Sequence, residues 1–484
     1  MKLQYILFAF LLIFIQQKFI FSQEHPSIHQ LEYEKYKDLP KEPSLFDPLG
    51  KDIIPLQVSD NRTPTAAVFG YFPYWRYPES LQDMQFDLLS HIAVFDFSVL
   101  SSGNLSPPSM WPWTDLINAA HESGVKVILT AVNFNGTQIH QLLTNPDIKA
   151  NFFQQLKSTI QTYDLQGVNI DFENISSSDR GEVLNGFISD LSLYLHAEIP
   201  GSEVSIAIPP VNWGGWQFMG LAEACDYMFI MGYNFYGPWS STSGACAPLT
   251  GGSYNISNSI IYQFSEVAAS YPEKLILGVP YYGNRWETED GEAYSLAIDH
   301  TNQPTYSLAK NTSDLYGELW DEISQTTYCS HMESESWYQV WYDSDSSLGL
   351  KYDLAEAYNL KGIGMWALGY DSDKPELWDE IRKRYEGTSS VAEIVTAPFE
   401  IHVSNIAGNR LQIKFQLEQS SSVSILILNV SGQMVLQNNY GQMSPGQHAM
   451  EVPTGRLTGG MYVLKLLSTS DLEYQCGIKK VFIR

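Results

Sequence analysis

The sequence predicts an α/β protein built on a closed (β/α)8 TIM barrel with a small insertion between strands 7 and 8, followed by a C-terminal antiparallel β-sandwich. Three observations predict the barrel. Eight short runs rich in β-branched and aromatic residues lie between positions 66 and 368, separated by segments of helical period. Several of these runs are apolar at nearly every position, as parallel strands covered by helices must be. The repeat of strand then helix extends over more than the ~250 residues that such a barrel needs.

Residues 1–22 carry Lys2, an apolar run from Ile6 to Ile15, and Ser22 before Gln23, the pattern of a signal peptide. The run is broken by Gln16, Gln17 and Lys18, so it falls short of the roughly 20 apolar residues of a membrane span, and no later stretch qualifies. Residues 23–64 are polar, rich in Pro, Glu and Lys, and lack a sustained apolar period. They are expected to form an extended lead-in with little order.

The barrel is assigned to residues 65–386. Its strands are AAVFGYF (66–72), HIAVFDF (91–97), KVILTAV (126–132), GVNIDFE (167–173), VSIAIP (204–209), YMFIMGY (227–233), KLILGVP (274–280) and GIGMWAL (362–368). Between them Phe152, Leu156 and Ile160, and likewise Val183, Phe187 and Leu191, recur every four residues, the stripe of a helix lying on a sheet. A doubly wound open sheet would place a glycine-rich phosphate loop after its first strand, and GYFPYWRYP stands there instead. The stretch from about 287 to 345 is too long for an ordinary connection and holds its own strand candidate, WYQVWYD at 337–343. It is expected to wall one side of the active face. A linker of small residues follows at 387–398. Residues 399–484 alternate in strand fashion, as in VSILILNV (423–430) and GMYVLKLL (460–467).

Composition narrows the partners. A formal net charge of −26 excludes nucleic acid or anionic lipid as the main one, because a polyanion gains no counterion release here and is repelled. A neutral or cationic substrate is expected, although acidity also keeps an exported protein soluble. Cys225, Cys246, Cys329 and Cys476 form no CxxC pair, so no metal site is indicated and buried, unpaired thiols are the default. No cofactor motif is present, and a monomer is expected.

The chemistry lies in VNIDFEN at 168–174. Side chains alternate along a strand, so Asn169, Asp171 and Glu173 share one face and Val168, Ile170 and Phe172 the other. The apolar set must pack under the helices. The polar set then faces the barrel axis, with Glu173 at the carboxyl end, where barrel active sites lie. Same-face positions are roughly 6.6 Å apart, close enough for Asp171 to disfavour ionisation of Glu173. A protonated carboxyl beside an ionised one is what glycosidic cleavage requires. The bland reading is a polar plug that fixes barrel register; burying two carboxylates has a cost that favours function over it.

QGVNIDFEN, MGYN at 231–234 and Trp366 in GIGMWALGYD together resemble glycoside hydrolase family 18, which includes many chitinases, over approximately residues 65–385. The resemblance implies a retaining mechanism in which the substrate's own N-acetyl oxygen is the nucleophile, the substrate-assisted exception to the scheme of two carboxylates. It implies that Glu173 is the acid and base, that Asp171 orients the acetamido N–H, that Tyr233 bonds the acetamido oxygen, and that Trp366 floors the sugar. The family pattern has Asp where this chain has Gln166, Asn169 and Asn234. Asn169 is expected to serve with the catalytic set and Asn234 to bind substrate hydroxyls. Loss of a negative charge at 234 is expected to displace the activity maximum toward acid. Tyr71, Trp75, Tyr236 and Trp239, near strand ends, are candidate sugar-stacking platforms. The substrate implied is a polymer of β-1,4-linked N-acetylglucosamine, with peptidoglycan or N-glycans as alternatives; a further alternative is a sugar-binding barrel without activity.

The chain's end, LTGGMYVLKL (457–466) and KKVFIR (479–484), is similar to the C-terminal sorting domain of type IX secretion. That implies a secreted or cell-surface protein with the secretion machinery as a second partner. A carbohydrate-binding sandwich is the alternative, and the absence of Trp from 399–484 disfavours it.

Overall fold

A computed structural model describes residues 25–44, 46–57, 64–385 and 401–483, the last range without 407–409, 418, 430–433, 456 and 470–473. The signal peptide and the 387–398 linker lie outside the described residues. The chain divides into two units, Met1–Gly387 and Thr388–Arg484.

The first unit is the expected barrel. Its strands are β1 (Ala67–Pro73), β2 (His91–Val99), β3 (Lys126–Asn133), β4 (Gly167–Phe172), β5 (Glu203–Ile208), β6 (Tyr227–Met231), β7 (Leu275–Pro280) and β8 (Gly362–Trp366). Each pairs in parallel with its sequence neighbours, and β1 pairs with both β2 and β8, which closes the sheet. Gly167, at the start of β4, has φ 156°, and a Cβ there would sit 2.1 Å from the Glu203 carbonyl, so strand entry needs a glycine.

Helices cover the outside. Helix Pro146–Thr162 buries Phe152, Leu156 and Ile160 as predicted. Helix Glu182–Glu198 differs by one position: Val183 is 36% exposed, and the buried stripe runs through Leu184, Phe187, Ile188, Leu191 and Leu195. Only this register puts two adjacent rows of the helix on the sheet.

At the amino ends of the strands, Glu203 accepts from both His91 and Lys126. Burial alone would raise its pKa, but these two partners outweigh it and hold the carboxyl near 2. This ion cluster closes the floor of the barrel, opposite the candidate site.

The insertion is a five-stranded antiparallel sheet with helix Tyr306–Tyr316, beginning at Asn284 and ending with strand Ser336–Tyr342. Trp286 and Trp341 pack with Ala245 and Tyr236, so the insertion leans on the loop after β6. Cys225, Cys246 and Cys329 are buried and unpaired.

The lead-in departs from expectation. Residues Ile28–Tyr36 form a helix, α1, capped by Ser27, whose Oγ accepts from the Gln30 N–H at 3.1 Å. Ser27 and Gln30 form the S-x-x-Q pattern of a capping box. After α1 the chain runs along the barrel. Glu42 N donates to Ser109 Oγ, Ile54 N to Asn118 Oδ1 and Gln57 N to the His121 carbonyl. Order comes here from docking and not from an apolar stripe.

The second unit holds a three-stranded and a four-stranded antiparallel sheet. Leu411, Ile413, Phe415 and Leu417 of one alternate inward against Val423, Ile425, Ile427, Leu464 and Leu466 of the other, which makes a sandwich core.

Candidate active site

The polar face of β4 points into the barrel, as the alternation requires. Asn169 and Asp171 are fully buried and Glu173 is 11% exposed at the strand's carboxyl end. Asn169 accepts from the Tyr71 hydroxyl at 2.7 Å and donates to Ser205 Oγ at 2.9 Å. Tyr71 spends its hydroxyl on Asn169 and meets the His29 ring edge-on, at 5.0 Å and 64°, so it is a hydrogen-bonding residue beneath the site rather than a stacking platform.

Tyr233 follows β6 directly. Burial, and then the charges of Asp171 and Glu173, push its pKa well above the ordinary range, so it remains a hydroxyl donor around neutral pH. Trp366 ends β8 and lies buried across the base of the mouth. These four groups come from three strands, and one imidazole joins three of them.

That imidazole belongs to α1. His29 Nδ1 lies 2.8 Å from Asp171 Oδ2, and Nε2 lies 2.7 Å from the Tyr233 hydroxyl. The ring stacks on Trp366 with centroids 3.8 Å apart and 27° between planes. A ring that donates from Nδ1 to the Asp171 carboxyl keeps Nε2 free to accept from the Tyr233 hydroxyl. Beside it, Ser27 Oγ donates to Glu173 Oε1 at 2.5 Å. His29, Asp171 and Glu173 offer donor atoms within 4.8 Å of one another, a cluster with the composition of a cation site. A metal on Nδ1 would have to displace the proton shared with Asp171.

The remaining contacts of α1 follow one helical face. Glu32 Oε2 accepts from Trp366 Nε1 at 2.8 Å and from the Tyr370 hydroxyl at 2.7 Å. Tyr33 meets Phe134, and Tyr36 stacks on Trp75 at 4.5 Å. Burial raises the Glu32 pKa from its ordinary 4.5 to about 7, against the lowering effect of its hydrogen bonds to Tyr370 and Trp366 and of Lys35 and Arg76 nearby.

Next to Ser27 a cavity of about 260 Å³ stays open, bordered by Glu173, Tyr233, Trp213, Trp216, Trp239 and Tyr254. His25 stacks on Trp239 at its edge, 4.3 Å between centroids. Trp239 lines this cavity, and Trp75 lies against Tyr36 of α1. Tyr236 instead packs with Tyr294 in the insertion's aromatic cluster. The chain turns at Asn234, φ 60°, just after β6.

Asn234 lines the cavity. Its Oδ1 accepts from the Tyr282 hydroxyl at 2.5 Å, and its Nδ2 has no hydrogen-bond partner among the described residues. Gln166 stands away from the chemistry. It accepts from Val127 N at 2.7 Å and tethers β3 to the entry of β4.

Sequence reasoning missed Ser27, His29, Glu32, Trp213, Trp216, Tyr282 and Tyr370. The spacing His29, Glu32, Tyr33, Tyr36 is a helical face, but a polar and aromatic one, which an apolar template passes over.

Comparison with known proteins places these features. Residues 67–371 match the model for Glycosyl hydrolases family 18, and residues 399–483 match the secretion system C-terminal sorting domain. The di-N-acetylchitobiase of Rattus norvegicus is 27% identical over 56% of this chain and 80% of its own length. The cortical fragment-lytic enzyme of Bacillus subtilis is 23% identical over 60% of this chain and 66% of its own. A family 18 chitinase from Cycas revoluta, solved with (GlcNAc)3, superposes with a TM-score of 0.58 at 19% identity, covering 66% of this chain and 99% of that one.

Proposed function

Because the chain belongs to glycosyl hydrolases family 18 and carries a type IX secretion sorting domain, we propose that it is an exported glycosidase that cleaves β-1,4-linked N-acetylglucosamine with retention, using the substrate's acetamido group as nucleophile. Glu173 protonates the leaving oxygen and then, as a carboxylate, activates water. Asp171 accepts the acetamido N–H and stabilises the positive ring that forms. Tyr233 donates to the acetamido oxygen, Asn169 holds Tyr71 and the base of the strand, and Trp366 carries the apolar face of the sugar. Trp75, Trp239 and Asn234 border the path of the remaining sugars.

The supporting observation is the fit of His29. A flat group that donates to Asp171 and pairs with Tyr233 while lying on Trp366 already occupies this space at hydrogen-bond distances. An acetamido group offers the same donor, acceptor and plane. The net charge of −26 favours neutral chitin fragments over acidic peptidoglycan. The likeness to a cortical fragment-lytic enzyme supports peptidoglycan fragments as a second reading.

Mass spectrometry of products from chito-oligosaccharides and from peptidoglycan fragments tests both, on the full chain and on His29→Ala, each with and without Glu173→Gln. Cleavage of chito-oligosaccharides that disappears with Glu173→Gln is expected. Binding without cleavage in every form would make the protein a sugar-binding barrel.

A further inference from the structure

We propose that residues 25–36 are a built-in competitive inhibitor of this site, a plug in which His29 stands in for the acetamido group of the substrate, and that cutting the exposed tether after α1 releases it. The inference rests on the glycosidase reading above.

The plug engages Asp171, Glu173, Tyr233 and Trp366 at once. His29 takes Asp171, Tyr233 and Trp366 together, and Ser27 takes Glu173. Glu32 takes the indole N–H of Trp366, and Tyr36 and His25 cover Trp75 and Trp239. Imidazole is well suited to this: a planar five-membered ring with one N–H and one lone pair on opposite nitrogens offers a donor and an acceptor like those of an amide. Ser27 presents a hydroxyl to Glu173 where a leaving oxygen or a water would stand. No sugar can occupy the Trp366 face while His29, itself fully buried, lies on it.

The geometry also provides release. Residues 37–40, KDLP, are exposed, whereas Lys41 donates to Ser106 Oγ and the Pro107 carbonyl and Glu42 N donates to Ser109 Oγ, which ties the chain beyond them to the barrel. Lys37 pairs with Glu34 of α1, and both are exposed. A protease that cuts after lysine would find Lys37 there. Before the cut the tether keeps the plug at an effective concentration on the order of millimolar, so even weak contacts exclude substrate; after it the peptide dilutes away. Cleavage of the expected signal peptide at Ser22 leaves the plug attached, so the exported chain would remain blocked until the second cut.

The test measures chitotetraose hydrolysis, and chitotetraose binding by calorimetry, for the full chain, for His29→Ala, and for the full chain nicked by trypsin and freed of small peptides by gel filtration. Mass spectrometry locates the cut, and circular dichroism reports the fold. Opening is expected to lower the apparent KM or Kd about tenfold or more with little change in kcat. A labelled peptide of residues 23–37 should bind the nicked chain and compete with substrate, and the same peptide with His29→Ala should do neither. Equal activity in intact and opened chains, or a peptide that fails to bind the nicked chain, overturns the plug and leaves the glycosidase reading standing. An opened chain that binds peptide and sugar but cleaves nothing keeps the plug and overturns the hydrolase.

Discussion

Asp171 and Tyr233 hold opposite nitrogens of one imidazole, at 2.8 and 2.7 Å, although they come from β4 and from the end of β6. The two strands are separated by β5, so the spacing is set by barrel closure and not by local sequence. A rigid frame of this kind can align an amide for attack without reorganising during the reaction.

Tyr233→Phe removes the donor and keeps the ring. Because burial and the neighbouring carboxylates hold this phenol protonated, its contribution is a hydrogen bond to developing charge. The expected loss is roughly 100-fold in kcat, with KM changed far less. Steady-state kinetics on the opened enzyme measure it.

Asn234→Asp restores a negative charge beside the cavity. Tyr282 can still donate to the new carboxylate, and Asp tolerates φ 60°. An added anion favours the protonated form of a neighbouring acid, so the basic limb of the pH–rate profile should move upward. A limb that stays in place would show that position 234 does not tune Glu173.

Glu32 makes inhibition depend on pH. Its pKa rises from 4.5 to about 7 on docking, chiefly through burial. An acid raised in this way takes up a proton on docking. Docking is therefore most favoured below 4.5, weakens between 4.5 and 7, and stays at its weakest above 7. Tyr370 and Trp366 from the barrel, Arg76 from the loop after β1 and Lys35 on α1 face the same carboxyl. Glu32→Gln leaves those groups and His29 unchanged. The inhibition constant of the peptide should weaken with rising pH for wild type and less steeply for the glutamine peptide.

Stability depends on a separate buried pair. Lys351 is fully buried and donates to Asp343, which also accepts from Ser347. Lys351→Ala leaves that carboxylate without its countercharge and should destabilise the barrel unit by about 3 kcal/mol in denaturant unfolding.

The barrel was legible because its strands are apolar on both faces, and β4 stands out among them through Asn169, Asp171 and Glu173. Tyr233 and Trp366 were legible as strand-end residues within motifs. The plug was not. Its contact face is made of His29, Glu32, Tyr33 and Tyr36, and its order comes from partners more than a hundred residues away, such as Asp171 and Trp366. Tyr236 was misplaced for a related reason: strand alternation ends at the turn at Asn234, and beyond it Tyr236 packs with Tyr294 of the insertion. Gln166 looked like a loss from the site, yet its amide clips β3 to β4.

In the proposed mechanism Glu173 works with a nucleophile carried by the substrate. Proton NMR of the anomeric region, recorded as the opened enzyme acts on chitotetraose and on its fully deacetylated counterpart, tests this most directly. The expected first product from the acetylated sugar is the β-anomer, with no cleavage of the deacetylated one. An α-anomer appearing first, or comparable cleavage of both sugars, would contradict the mechanism.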